Sequence, residues 1–120
     1  MNKGYFDKSS PEWIVPLKDE HGELLNLKKK KIHTARDKLN PNKKFRFRIN
    51  SIVWGQQTDL AEPKVNFIAE ILWDDETVSC WLCYYTLNKY GRWHFGQYGP
   101  MMPITDLMEL YEYAHEKGIV

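Results

Sequence analysis

Cys80-Trp81-Leu82-Cys83 is the one stretch of this chain whose residue types and spacing match a metal-binding or redox motif. Zinc takes about four ligands. The sequence holds no second such motif, and His21, His33, His94 and His115 stand singly. The residues around the motif alternate as in a strand, so positions three apart point to opposite faces and cannot close a disulfide or share an ion. A reactive thiol pair would also need the motif at a helix start, where the helix dipole lowers the thiol pKa. Two packed cysteines with no metal and no cofactor are therefore expected.

The acids add little that is catalytic. Asp74, Asp75 and Glu76 crowd together, which reads as an exposed hairpin turn. His33 and Asp37 are four residues apart, the spacing of a general base and its orienter on a helix. No nucleophile, oxyanion donor or Gly-rich phosphate loop accompanies them. A non-enzymatic protein is expected.

The cations are more informative. Ten of the seventeen Lys and Arg lie between Lys28 and Arg48, against one acid, Asp37, so this segment carries +9. The whole chain carries +1, which leaves −8 for everything else. Clustered cations attract polyanions over about a Debye length whatever the total charge. Lys30, Lys31, Arg36, Lys43, Lys44, Arg46 and Arg48 are candidate phosphate contacts, with Trp81 and Tyr85 as candidate stacking partners for bases. Helix-turn-helix, zinc-finger and RNP-type signatures are missing from the sequence, so nucleic-acid binding would lack strong sequence specificity.

The acids supply the alternative. Glu109, Glu112 and Glu116 recur on one side of a C-terminal helix, and with Asp74 and Asp75 they could engage a basic groove on a protein such as a nucleic-acid enzyme. The alternative expectation is thus a compact inhibitor or accessory protein of the phage or mobile-element type.

These residues need a scaffold, and 120 residues with 42% hydrophobic content suffice for one domain with a real core. No run approaches the roughly 18 apolar residues of a membrane helix, and the N-terminus lacks a signal-peptide core. A cytoplasmic protein with no membrane contact is expected. Residues 1–11 read as a loose lead-in. Trp13 to Leu17 and Glu23 to Leu27 read as a hairpin around Asp19-Glu20-His21-Gly22, with Pro16 confining the first strand to an edge. Ile32, Ala35 and Leu39 stand at helical spacing, which predicts a short basic helix over Lys29–Leu39.

Alternation predicts strands at Lys44–Trp54, Val65–Trp73, Val78–Leu87 and Arg92–Tyr98. A two-residue turn at Asp75-Glu76 would set Trp73 opposite Val78, Ile71 opposite Cys80 and Phe67 opposite Tyr84. One apolar face, joined by Phe45, Phe47, Ile49 and Val53, would then take the C-terminal helix. The reverse face would mix Arg46, Arg48, Trp54, Ile68, Glu70, Leu72, Trp81, Cys83, Tyr85 and His94, with Glu70 opposite Arg48 as an ion pair. It would be a stacking platform if bare, or a second small core if the N-terminal hairpin or the basic helix covers it. The helix itself, 106–117, reads with Thr105 as N-cap, an apolar stripe of Ile104, Leu107, Met108, Tyr111 and Ala114, and Gly118 at its end. The expected fold is α+β: an antiparallel meander of four to six strands packed by that helix. A partly open OB-like barrel is the alternative.

Overall fold

The computed structural model describes residues 2–27, 33–36, 39–40, 42–96 and 101–120, with the backbone alone at 33–36. Among them are β1 (Lys3–Phe6), β2 (Ile14–Lys18), β3 (Leu24–Asn26), β4 (His33–Arg36), β5 (Lys44–Gln56), β6 (Lys64–Trp73), β7 (Val78–Leu87), β8 (Trp93–Gly96) and α1 (Ile104–Glu116). The fold is α+β. An open antiparallel sheet runs β1-β5-β6-β7-β8, with β4 sharing the outer edge of β5, and β2-β3 form a separate hairpin. Among the described residues the sheet does not close.

Two local irregularities decide which side chains share a face. The first is a bulge in β5 between Ile49 and Ser51, opposite Ile71 and Glu70. It adds one residue and switches the alternation. Phe47, Ile49, Ile52 and Trp54 therefore share one side, and Val53 turns to the other rather than joining Phe47. The second is the turn after β6. Glu76 N–H donates to the Trp73 carbonyl, and Trp73 N–H donates to that of Thr77. The loop thus has three residues, and Glu76 takes φ 71° in the left-handed region. The register shifts by one from the two-residue expectation: Leu72 faces Val78, Ile71 faces Ser79 and Phe67 faces Cys83.

With this register, Trp54, Val65, Phe67, Ala69 and Cys83 share the face on which the β2-β3 hairpin lays Trp13, Val15, Leu25 and Leu27. Trp81, Tyr85, Trp93 and Phe95 pack at its margin. Gly4 pairs with Trp54, whose indole occupies the space a Cβ would need. Helix α1 lies on the opposite face, over β5 and β6, where Leu110, Ala114 and Ile119 pack on Val53 and Ile68. The expected helix-bearing face is thus corrected: the face with Phe47 and Phe67 takes the hairpin.

The helix also presents a different side to the sheet than its sequence stripe implies. It starts at Ile104 after Pro103, and Thr105 is not its cap. Asp106 is buried and accepts the backbone N–H and the hydroxyl of Thr58, each at 2.8 Å. Lys64 Nζ donates to the Met101 carbonyl at 2.8 Å just before the helix. These bonds hold Asp106, Leu110 and Ala114 inward and leave Ile104, Met108 and Tyr111 at 75%, 57% and 54% exposure. Gly118 at φ 77° ends the helix and lets Ile119 fold back onto the Ala114 carbonyl.

Two further expectations are corrected. Lys3–Phe6, placed in the loose lead-in, pairs with β5 as β1. His33–Arg36, placed on a basic helix, pairs with β5 as β4; long-range pairing outweighs the weak helical spacing of three apolar residues. Lys30 and Lys31 lie outside the described residues. Replacing the fully buried Leu110 with Ala should cost about 2–5 kcal/mol in urea unfolding. Met108→Ala on the exposed side should stay within about 0.5 kcal/mol.

Candidate nucleic-acid interface

The far end of the sheet, around residues 43–48 and 72–82, lies beyond the cover of the helix. Arg46 and Arg48 alternate along β5, so both project on the helix side, about 7 Å apart along the strand, and both are exposed. Arg46 faces Thr34 on β4 and, on its other side, Asp74, whose carboxylate accepts the Arg46 backbone N–H at 3.4 Å; Arg48 faces the apolar Leu72 on β6. Glu70 is opposite Ser51 and takes the Asn50 side-chain amide at 3.3 Å. The bulge therefore separates Glu70 from Arg48, and the expected cross-strand pairing of these two is corrected. Lys43 and Lys44 are exposed at the same end, and Lys43 Nζ sits 5.1 Å from the centre of the Phe45 ring. Arg36 faces Lys44 in the backbone pairing of β4 with β5.

The aromatic half of the expected platform is elsewhere. Trp81 and Tyr85 lie on the hairpin-bearing face, opposite in sense to Arg46 and Arg48. Trp81 is packed edge-on against Phe47, Phe67 and Phe95. Tyr85 contacts Phe67 and Phe95, and burial raises its hydroxyl pKa, with a smaller contribution from Cys83. These rings are part of a core. The half-exposed rings nearest the cations are Phe45 and Trp73, which meet edge-on with centres 6.4 Å apart. They were not singled out for stacking in the sequence, because nothing in it marks where the hairpin's cover stops.

The acids proposed for a protein partner are mostly committed to structure. Asp74 N–H donates to the Arg46 carbonyl at 2.9 Å, tying the turn to β5. Asp75 accepts the Thr77 hydroxyl at 2.6 Å and the Thr77 N–H at 3.0 Å, and these bonds lower its pKa. Glu109 lies 3.8 Å from Lys3 Nζ on β1. Glu112 and Glu116 are exposed on α1.

Strand geometry separates the two thiols as the spacing predicts. Cys83 is buried, but Cys80 is exposed, which corrects the expectation that both cysteines are packed. Burial pushes the Cys83 thiol up to about 12, far from thiolate chemistry at neutral pH. His94 is opposite Thr86 on β8, at the other end of the strands from Asp74, so these two titratable groups are not brought together. The side chain of His33 and the whole of Asp37 lie outside the described residues.

The class the described residues define is an α+β sheet with a hairpin on one face, a helix on the other and a basic end that none of the described elements covers. Comparison with known proteins gives no matching family model, no matching curated relative and no matching solved structure. Alkylation at pH 8 should label one thiol, Cys80, rapidly in the native protein, and Cys83 only at the rate of opening. Mass mapping of the labelled peptide checks which one reacts.

Proposed function

We propose that the chain is a small non-enzymatic binding protein whose basic sheet end contacts nucleic-acid phosphates without strong sequence specificity. The observation that supports this reading is the exposed pair Arg46 and Arg48, side by side on a sheet face that no described element covers, with Arg48 opposite the apolar Leu72. Lys43 and Lys44 extend the same cationic surface, and Arg36, Lys30 and Lys31 belong to the same run of sequence. Phosphate contact needs cations free to replace condensed counterions, and this end supplies them. Direct base readout needs a helix or ribbon shaped for a groove, or rings on the cationic face, and Trp81 and Tyr85 are on the other one.

A second reading, an inhibitor or accessory protein for a protein partner, is favoured by the outward apolar side of α1, where Ile104, Met108 and Tyr111 are exposed and Glu112 stands beside them. Such a partner would be met by apolar contact with an acidic border rather than by the acidic turn.

A salt titration with labelled single- and double-stranded oligonucleotides tests the first reading. Arg46→Ala with Arg48→Ala should weaken binding to every sequence alike and flatten the salt slope by about 1.4–1.8, two contacts at about 0.7–0.9 each. Trp81→Leu should leave the slope unchanged. A parent protein that binds with a flat slope overturns the nucleic-acid reading and leaves the α1 side as the place to look.

A further inference from the structure

Helix α1 buries Asp106, Leu110 and Ala114 and carries a second apolar row outside. Ile104, Leu107, Met108 and Tyr111 stand at i, i+3, i+4 and i+7, so they form one stripe down the helix. All four are exposed, from 39% at Leu107 to 75% at Ile104. No charge interrupts the stripe. Tyr111, at its end, is stacked on His115 with ring centres 6.5 Å apart, and His115 Nδ1 donates to the Val120 carbonyl at 2.9 Å. These contacts order the Tyr111 ring before any partner arrives, which lowers the entropy lost on binding.

The charges around the stripe are set by the same helix. Glu112 is exposed on its border, whereas Glu109, farther round, sits beside Lys3. At the other end, the start of α1 has Pro103 in the capping position and no side-chain cap. The first-turn acid, Asp106, is turned inward to Thr58. The outer side of the helix start therefore keeps the positive end of the dipole without an acid of its own chain.

We propose that this stripe pairs with the same stripe of a second copy of the chain, the two helices antiparallel about a two-fold axis between Leu107 and Met108. The spacing of the four residues, three then one then three, is the same read from either end. An antiparallel copy therefore sets Ile104 opposite Tyr111 and Leu107 opposite Met108, twice over, with the ridges of each helix in the grooves of the other. The same overlap brings Glu112 of each copy beside Pro103 of the other, at the positive end of a helix that has no side-chain cap. The two Glu112 positions then lie roughly 13 Å apart along the axis, beyond a Debye length. A parallel pairing would instead set Glu112 against Glu112. One helix stripe per copy buries less than the roughly 1,600 Å² of a standard interface, so association in the micromolar range is expected.

Sedimentation equilibrium of the nuclease-treated full chain, across the micromolar range, is the test. A concentration-dependent dimer is expected, weakened roughly tenfold or more by Met108→Lys, which puts two like charges at the centre of the contact. Circular dichroism should show that variant folded, because the side chain it replaces is exposed. Glu112→Gln should weaken the dimer about three- to thirtyfold, since symmetry removes two charge–dipole contacts, and high salt should shrink the difference. Arg46→Ala with Arg48→Ala should leave the dimer intact, because the basic end takes no part in it. Loss of nucleic-acid binding and loss of this contact are thereby told apart. A chain that stays monomeric overturns the proposal and leaves the stripe to a different protein, and a dimer that Met108→Lys leaves intact overturns it too. A dimer indifferent to Glu112→Gln overturns the antiparallel order.

Discussion

The hydrogen bonds that close the β6-β7 turn set the rest of the molecule. Because Trp73 bonds to both Glu76 and Thr77, the loop holds three residues and every pair from Leu72–Val78 to Lys64–Thr86 is fixed. Side chains on a strand alternate with period two, so one residue of slip would exchange the two faces of β7. Cys83 and Tyr85 would leave the hairpin core, and Leu82 and Tyr84 would enter it. The burial of Phe67, Ala69 and Cys83 against Trp13 and Leu25 holds the register chosen by the turn. Glu76 in a left-handed conformation is a local cost, since glycine or asparagine suits it better. The packed face over-determines it.

The two coverings of the sheet are built differently. The hairpin side is a large aromatic and aliphatic core that needs little direction beyond shape. The helix side is small, with Leu110, Ala114 and Ile119 on Val53 and Ile68, and polar bonds orient it. Asp106 on Thr58 and Lys64 on the Met101 carbonyl pin the helix start. Lys3 and Lys117 lie over the Tyr113 ring on the side facing β1. With that side fixed, the apolar flank of Ile104, Met108 and Tyr111 stays in water. Buried polar bonds lose more when broken than apolar contacts gain by sliding, so they win the choice of face.

Much of the fold was legible because alternation and turn chemistry are local signals. The hairpin around Asp19–Gly22, the three central strands and the C-terminal helix all appear at the expected places. The faces were not legible, for physical reasons that no local pattern carries. A bulge at Asn50 has no marker such as glycine, and Glu76 hides a left-handed residue behind a side chain that ordinarily avoids it. The stripe Ile104–Leu107–Met108–Tyr111 is as regular as a buried one, and only the distant Thr58 reveals that Asp106 is the inward residue. For the candidate site, Arg46 and Arg48 were found as exposed cations, but their separation from Trp81 and Tyr85 follows from the same two irregularities.

The charge polarity takes a different form from two opposed charged surfaces. The cations are concentrated because they flank one strand end: Lys43, Lys44, Arg46 and Arg48 lie within six residues at the uncovered end of β5. The balancing acids are dispersed by their structural duties. Asp106 is consumed inside the helix contact, Asp75 caps a turn, Asp19 bonds the backbone of His21 and Glu23, and Glu109 sits beside Lys3. A carboxylate that accepts local N–H groups projects little field, whereas an exposed guanidinium with an apolar cross-strand neighbour projects most of its own. The net charge of +1 is thus an average over acids used internally and cations left at the surface.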